Sequence, residues 1–126
     1  MYANDGAAHT LGIKVVAIGP GTATTEMTVK DTMVNGYNSC HGGIIFTLAD
    51  SALGYASNTR NQISMANDCS ISFTAPGKLG AKLTANAREI WRSKRSAIYD
   101  VEVTSADGEI IAEFRGKSRN VPGTVL

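Results

Sequence analysis

The chain is poor in the residues that build metal, nucleotide and disulfide sites. It has only two histidines and two cysteines among 126 residues. His9 and His41 stand at neither HxxxH nor HxH spacing, so there is no zinc-ligand pattern. Cys40 and Cys69 form no CxxC and are too few for a disulfide framework, which points to a reducing compartment. No GxGxxG follows a strand-like segment, and neither GxxxxGK[ST] nor GxSxG occurs. Dinucleotide, P-loop and serine-elbow chemistries therefore lack their backbone devices. The opening MYANDGAAHTLGIKV has no basic start and no apolar core, so a signal peptide is not expected and the expected location is the cytoplasm. The longest apolar stretch is interrupted by Thr47, Asp50 and Ser51, too polar and too short to span a bilayer. Charge is nearly balanced at +1, although nine of the twelve basic residues follow Gly77. That balance argues against general nucleic-acid binding.

What is present fits one domain over residues 1–126, with 43% hydrophobic and 18% charged residues. A chain of this size has a real core but a high surface-to-volume ratio, so oligomerisation would help it. Most of it alternates with period two. Segments 13–18 and 22–29 are expected to form a hairpin about Gly19-Pro20-Gly21, with Ile13, Val15 and Ala17 opposite Ala23, Thr25, Met27 and Val29. In 64–75 the apolar or small set is Met65, Cys69, Ile71, Phe73 and Ala75. From Lys82, the set Leu83, Ala85, Ala87 and Trp91 alternates until Glu89 and Ile90 fall out of phase, which calls for a β-bulge. Ala97, Tyr99, Val101 and Val103 share a face in the next strand. Ile110, Ala112, Phe114 and Gly116 share one in the last, after a turn at 105–108. Residues 4–10 carry a weak signal for a short helix, and 121–123 form a tail.

One segment breaks the alternation. Residues 44–58 are apolar around most of a helical circumference, so the expected helix is enclosed rather than laid on a surface. The order β-β-α-β-β-β-β is that of an α+β domain, one helix against a curved antiparallel sheet. Asp50 is the only charged residue between His41 and Arg60. A carboxylate in such a place needs a reason. Thr47, Asp50, Ser51, Gly54, Ser57 and Asn58 fall on one stripe of that helix, and a solvent face would carry Lys, Glu or Arg instead of these small polar residues. Just before it, Gly42 and Gly43 open the helix with amides that lack intrahelical acceptors. Amide donors and a carboxylate suit acyl transfer. His41 has two readings, one orienting a substrate carbonyl and one purely structural. Cys40 is no thiol partner for it, because adjacent side chains point apart. Gly43 and Asp50 are seven residues apart, about 10 Å along a helix, whereas an attacking group has to come within about 3 Å of its carbon. If they act on one carbonyl, they come from two chains with antiparallel helices.

The segment from Asn35 through HGG to Asp50 and on to Asn58, with CSISFTAPG at 69–77, YDVE at 99–102 and FRGKS at 114–118, resembles the phenylacetyl-CoA branch of the hotdog-fold acyl-CoA thioesterases. The resemblance covers about 2–123. It implies the hotdog fold, hydrolysis of phenylacetyl-CoA or related aryl-acetyl-CoA in phenylacetate catabolism, and no cofactor, CoA being part of the substrate. It also implies homo-oligomers, dimers paired into tetramers, with sites between subunits. By the same resemblance Asp50 is the catalytic base or nucleophile, Gly42 with Gly43 polarises the carbonyl, and His41 and Asn35 complete the motif. Ser51, Gly54, Tyr55 and Asn67 are candidates for substrate contact, with small Ala52 and Gly54 leaving room beside Tyr55 for an aryl group. Arg92, Lys94 and Lys117 are candidates for the CoA phosphates. Ser51 and Asp68 depart from the usual residues of the branch, and Asp68 is expected on the solvent side of its strand. An acyl binder without turnover is the alternative. A dehydratase would be expected to place a histidine on or near this helix, which has none.

Overall fold

In the computed structural model, which describes residues 2–125, strands and turns follow the local chemistry closely. Strands β1 (Lys14–Gly19) and β2 (Thr22–Thr28) meet at Pro20-Gly21, where Gly21 takes φ +69°, a conformation other residues rarely adopt. A short helix α1 (Gly6–Leu11) precedes them, capped by Asp5, whose Oδ1 accepts from the Ala8 amide at 3.0 Å. The long helix α2 (Gly42–Ser57) follows, then β3 (Ser64–Phe73), β4 (Lys82–Arg92), β5 (Ser96–Ser105) and β6 (Ile110–Asn120). All strand pairs are antiparallel, in the order β1-β2-β4-β5-β6-β3, which leaves β1 and β3 as edges.

Helix α2 lies on the inner face of this sheet. Leu48, Ala49, Ala52 and Leu53 are fully buried against Thr25, Leu83, Ala85, Val101, Val103 and Ala112, and small residues on both sides let the helix sit close. Gly116 is part of that fit, since a Cβ there would run into Leu53. The buried Thr25 hydroxyl donates to the Leu48 carbonyl at 3.3 Å, so no polar atom is stranded at that contact.

Four register shifts decide which side chains face the helix. The shift at Ile90 is the bulge expected near Glu89, but it acts differently from the alternation: Glu89 stays inward opposite Tyr99, and Trp91 turns out, 47% exposed. A shift at Val16 leaves Ala17 exposed instead of continuing the face of Ile13 and Val15. A shift at Asn67 turns Met65 outward, away from the side of Cys69 and Ile71. Near Ile111 the last shift exposes Ile110 and buries Ile111 with Ala112.

Candidate active site

The loop before α2 is folded by its own side chains. Asn35 Oδ1 accepts from the amides of Tyr37 at 2.9 Å and Ser39 at 3.2 Å, and Asn38 takes φ +57°. The Cys40 amide donates to the Gly77 carbonyl at 2.7 Å and that of His41 to the Met33 carbonyl at 2.9 Å. Asn35 thus shapes the loop that delivers the helix start. Burial pushes the Cys40 thiol up to about 11, which removes it as a nucleophile near neutral pH. His41 is exposed and is the N-cap, but its side chain makes no capping hydrogen bond. Its carbonyl accepts from Ile44 and Ile45, and the Gly42 and Gly43 amides have no acceptor among the described residues. Two backbone donors at the positive end of a 16-residue helix are left open.

From this end a half-exposed stripe runs along α2 through Gly43, Thr47, Asp50, Ser51, Gly54 and Asn58. Thr47 Oγ1 donates to the Gly43 carbonyl at 2.9 Å and Ser51 Oγ to that of Thr47 at 2.8 Å. Asp50 makes no hydrogen bond or ion pair among the described residues, and burial raises its carboxyl above the ordinary carboxylate range. Cys69, on β3, lies close enough that Asp50 helps to raise its thiol, after the larger effect of burial. Ser57 belongs to the buried side of the helix, its hydroxyl donating to the Gly54 carbonyl at 3.0 Å.

Other expected site residues lie elsewhere. Tyr55 points away from the stripe: its ring is buried, its hydroxyl donates to Asp5 Oδ2 at 2.8 Å, and burial with Asp5 raises its pKa. The space expected beside it is filled by the N-terminal segment, with the Tyr2 ring 6.2 Å away, and Ala52 is wholly buried. Asn67 is the bulged, exposed residue of β3, and Asp68 is exposed opposite Lys117. Arg92 lies past the C-terminal end of α2, its Nε 3.5 Å from Glu89 Oε1, with Tyr99 and Ser118 beside it. Lys94 is in the β4–β5 turn. Lys117 is on the outer face of β6, so the three basic residues do not share a surface.

One feature of the site escaped the sequence. A groove of about 380 Å³ opens at the start of α2, walled by Cys40, Gly42, Ile45, Phe73, Ala75 and Pro76. The segment after β3 shows only a turn signal by itself, and nothing in the pattern brings it to a helix start some thirty residues earlier.

Residues 37–112 match the model of the thioesterase superfamily. The chain belongs to that superfamily. This thioesterase is 42% identical over 125 residues to the acyl-coenzyme A thioesterase PaaI of Escherichia coli, covering 99% of this chain and 89% of that one. The solved structure of E. coli PaaI, a protein from the phenylacetic acid degradation operon, superposes with a TM-score of 0.97 over 98% of this chain and 90% of that chain, at 42% identity. A Streptococcus mutans protein bound to acetyl CoA superposes with a TM-score of 0.84 at 27% identity, over 89% of this chain and 90% of that one. The α+β sheet and its central helix are the hotdog fold of this superfamily.

Proposed function

We propose that this thioesterase hydrolyses acyl-CoA thioesters, with aryl-acetyl groups such as phenylacetyl as its preferred acyl class, and that it serves phenylacetate catabolism in the cytoplasm. The observation that carries the reading is Asp50, a half-buried carboxylate without a partner among the described residues, on a stripe of α2 that begins at Gly43, in a helix whose Gly42 and Gly43 amides are open. A thioester carbonyl has a good leaving group, so oxyanion donors and one activating carboxylate are sufficient tools. With Asp50 as base, water loses a proton to the carboxylate as its oxygen bonds to the carbonyl carbon. The tetrahedral oxyanion is held by the glycine amides, and its collapse expels CoA thiolate, which regains the proton. With Asp50 as nucleophile, a mixed anhydride forms as the thiolate leaves, and water then cleaves it. The relatives support the substrate class: one is named an acyl-coenzyme A thioesterase and another holds acetyl CoA.

Seven residues, or about 10 Å, lie between Gly43 and Asp50, so the donors come from a second copy. The unpaired edge of β3, with Met65 63% exposed, supplies a surface on which two copies can pair strand to strand, and two such dimers form a tetramer. The CoA phosphates rest outside the acyl site on Arg92 and Lys94 or on Lys117. These lie on different surfaces, so charge removal at one set alone should raise KM, and the effect should weaken with salt. Release of free thiol from phenylacetyl-CoA, followed with a thiol reagent, tests the reading directly. Stoichiometric binding without release would make the protein an acyl-CoA binder instead.

A further inference from the structure

We infer that a small polar cavity beyond the C-terminal end of α2 is a binding site for one chloride ion. It stands apart from the thioester site and does not depend on the reading given above. At this end of the sheet the inward register positions turn polar, where the rest of the same face is core. Glu89 lies opposite Tyr99, Arg92 opposite Ala97 and Ala97 opposite Ser118, continuing the face on which Val101 and Phe114 are buried. Buried polar side chains need partners. Tyr99 and Ser118, each 2% exposed, wall a cavity of about 30 Å³ together with Ser57, Arg60 and Arg92.

The groups left over in this cavity are donors. Tyr99 and Ser118 lie close enough to share one hydrogen bond, and two hydroxyls have two protons, so one O–H still requires an acceptor. Neighbouring acceptors are engaged: Ser57 Oγ takes Asn58 Nδ2 at 3.3 Å, and Asn120 Oδ1 takes the Ser64 hydroxyl at 2.7 Å. Arg60 and Arg92 bring two positive charges. They share a single acid, Glu89, at 3.0 and 3.5 Å, so one positive charge is left over. Glu89 Oε1, without a hydrogen-bond partner, lies on the Arg92 side, outside the lining of the cavity. Spare O–H and N–H donors under a surplus positive charge select an anion over a cation, and over a water, whose own protons would find few acceptors. The volume has room for about one water-sized particle, which admits a halide ion and excludes the phosphates of CoA. Chloride is the halide that cells hold in quantity. The Arg60 and Arg92 side chains are 39% and 52% exposed, so the ion has a path from solvent. Once bound, it joins the end of α2 to β4, β5 and β6.

Melting temperatures in sodium chloride and in sodium gluconate of equal ionic strength test the assignment, gluconate being too large for the cavity. Chloride should raise Tm by about 2 °C or more over gluconate, and the difference should saturate with concentration, as binding to the native state requires. Bromide should reproduce the effect. Crystals grown in sodium bromide should show an anomalous peak between the Tyr99 and Ser118 hydroxyls and the guanidinium groups of Arg60 and Arg92. Ser118→Ala and Tyr99→Phe each remove the spare proton and should lose at least half of the chloride increment. A folding defect alone would lower Tm equally in both salts and leave that increment in place. Equal melting temperatures in chloride and gluconate, a cavity filled by water in the bromide crystals, or an unchanged increment in both variants overturns the site.

Discussion

The two ends of α2 are finished differently. At the C-terminal end Asn58 Nδ2 donates to the Gly54 carbonyl at 2.6 Å while its Oδ1 accepts from the Ser64 amide at 3.0 Å. Thr59 Oγ1 donates to the Ala56 carbonyl at 2.8 Å and accepts from the Gly21 amide at 2.9 Å. Beyond them Glu89 ties Arg60 at 3.0 Å and Arg92 at 3.5 Å. At the N-terminal end, His41 makes no side-chain capping hydrogen bond, and two amides stay open beside the groove. An unfilled N-cap costs about 1 kcal/mol. The C-terminal end is tied by side chains, with Glu89 Oε1 buried and lacking a hydrogen-bond partner of its own, whereas the open groups at the N-terminal end are backbone donors whose missing acceptor a substrate oxygen can replace.

The largest expected effect comes from removing the acid that faces the open end. Asp50→Asn should lower kcat by about a hundred- to ten-thousand-fold with an unchanged circular dichroism spectrum. A variant within tenfold of wild type would break the pairing of acid and amides. Gly43→Val should lower kcat about tenfold or more, although nothing of its own chain lies within 4 Å of a Cβ built there. Retained folding with lost turnover would show that the space beside Gly43 is kept for substrate or a second copy; retained turnover would show that it is not.

The pH dependence sharpens the same contrast. Burial raises Asp50 above 3.8, so the acid limb of kcat/KM should have its midpoint above that value. Between the unfolded and folded values the native state binds the proton more firmly, so stability falls as pH rises through that window. Asp50→Asn escapes the penalty and should melt no lower than wild type at neutral pH, with the gap closing once the solution is acidic enough to protonate Asp50 in both states. A lower melting temperature for Asp50→Asn at neutral pH would mean that the carboxylate is held by favourable contacts. At the closed end the expected change is smaller and of another kind. Glu89→Gln should cost about 1–2 kcal/mol, seen as several degrees of Tm, and leave kcat of the folded enzyme within about twofold.

Periodicity made the helix, the hairpin and the meander legible, and the lone acid with its small polar neighbours marked the stripe. Helix 44–58 is observed as Gly42–Ser57, and the segment at 4–10 as Gly6–Leu11. Strand faces became illegible wherever an extra residue entered the ladder. Met65, Ala17 and Ile110 are the cost of bulges at Asn67, Val16 and Ile111, where a one-residue slip reverses the face. Tyr55 was misplaced for a simpler reason: five residues beyond Asp50 is about 140° round the helix, nearly the opposite side. The groove joins Cys40 and Gly42 to Phe73 and Pro76, a juxtaposition made by the tertiary fold and invisible to any local pattern.

Mixing chains carrying Asp50→Asn with chains carrying Gly43→Val tests most directly whether acid and amides meet across two copies. Each variant alone should retain about a tenth or less of the wild-type rate toward phenylacetyl-CoA. After dissociation and reassociation, half of the dimers are mixed, and each mixed dimer has one site with an intact acid and intact amides. The mixture should therefore recover about a quarter of the wild-type rate per chain. No recovery, with mixed dimers demonstrated by native mass spectrometry, would contradict the account and place the acid and its oxyanion donors in a single chain.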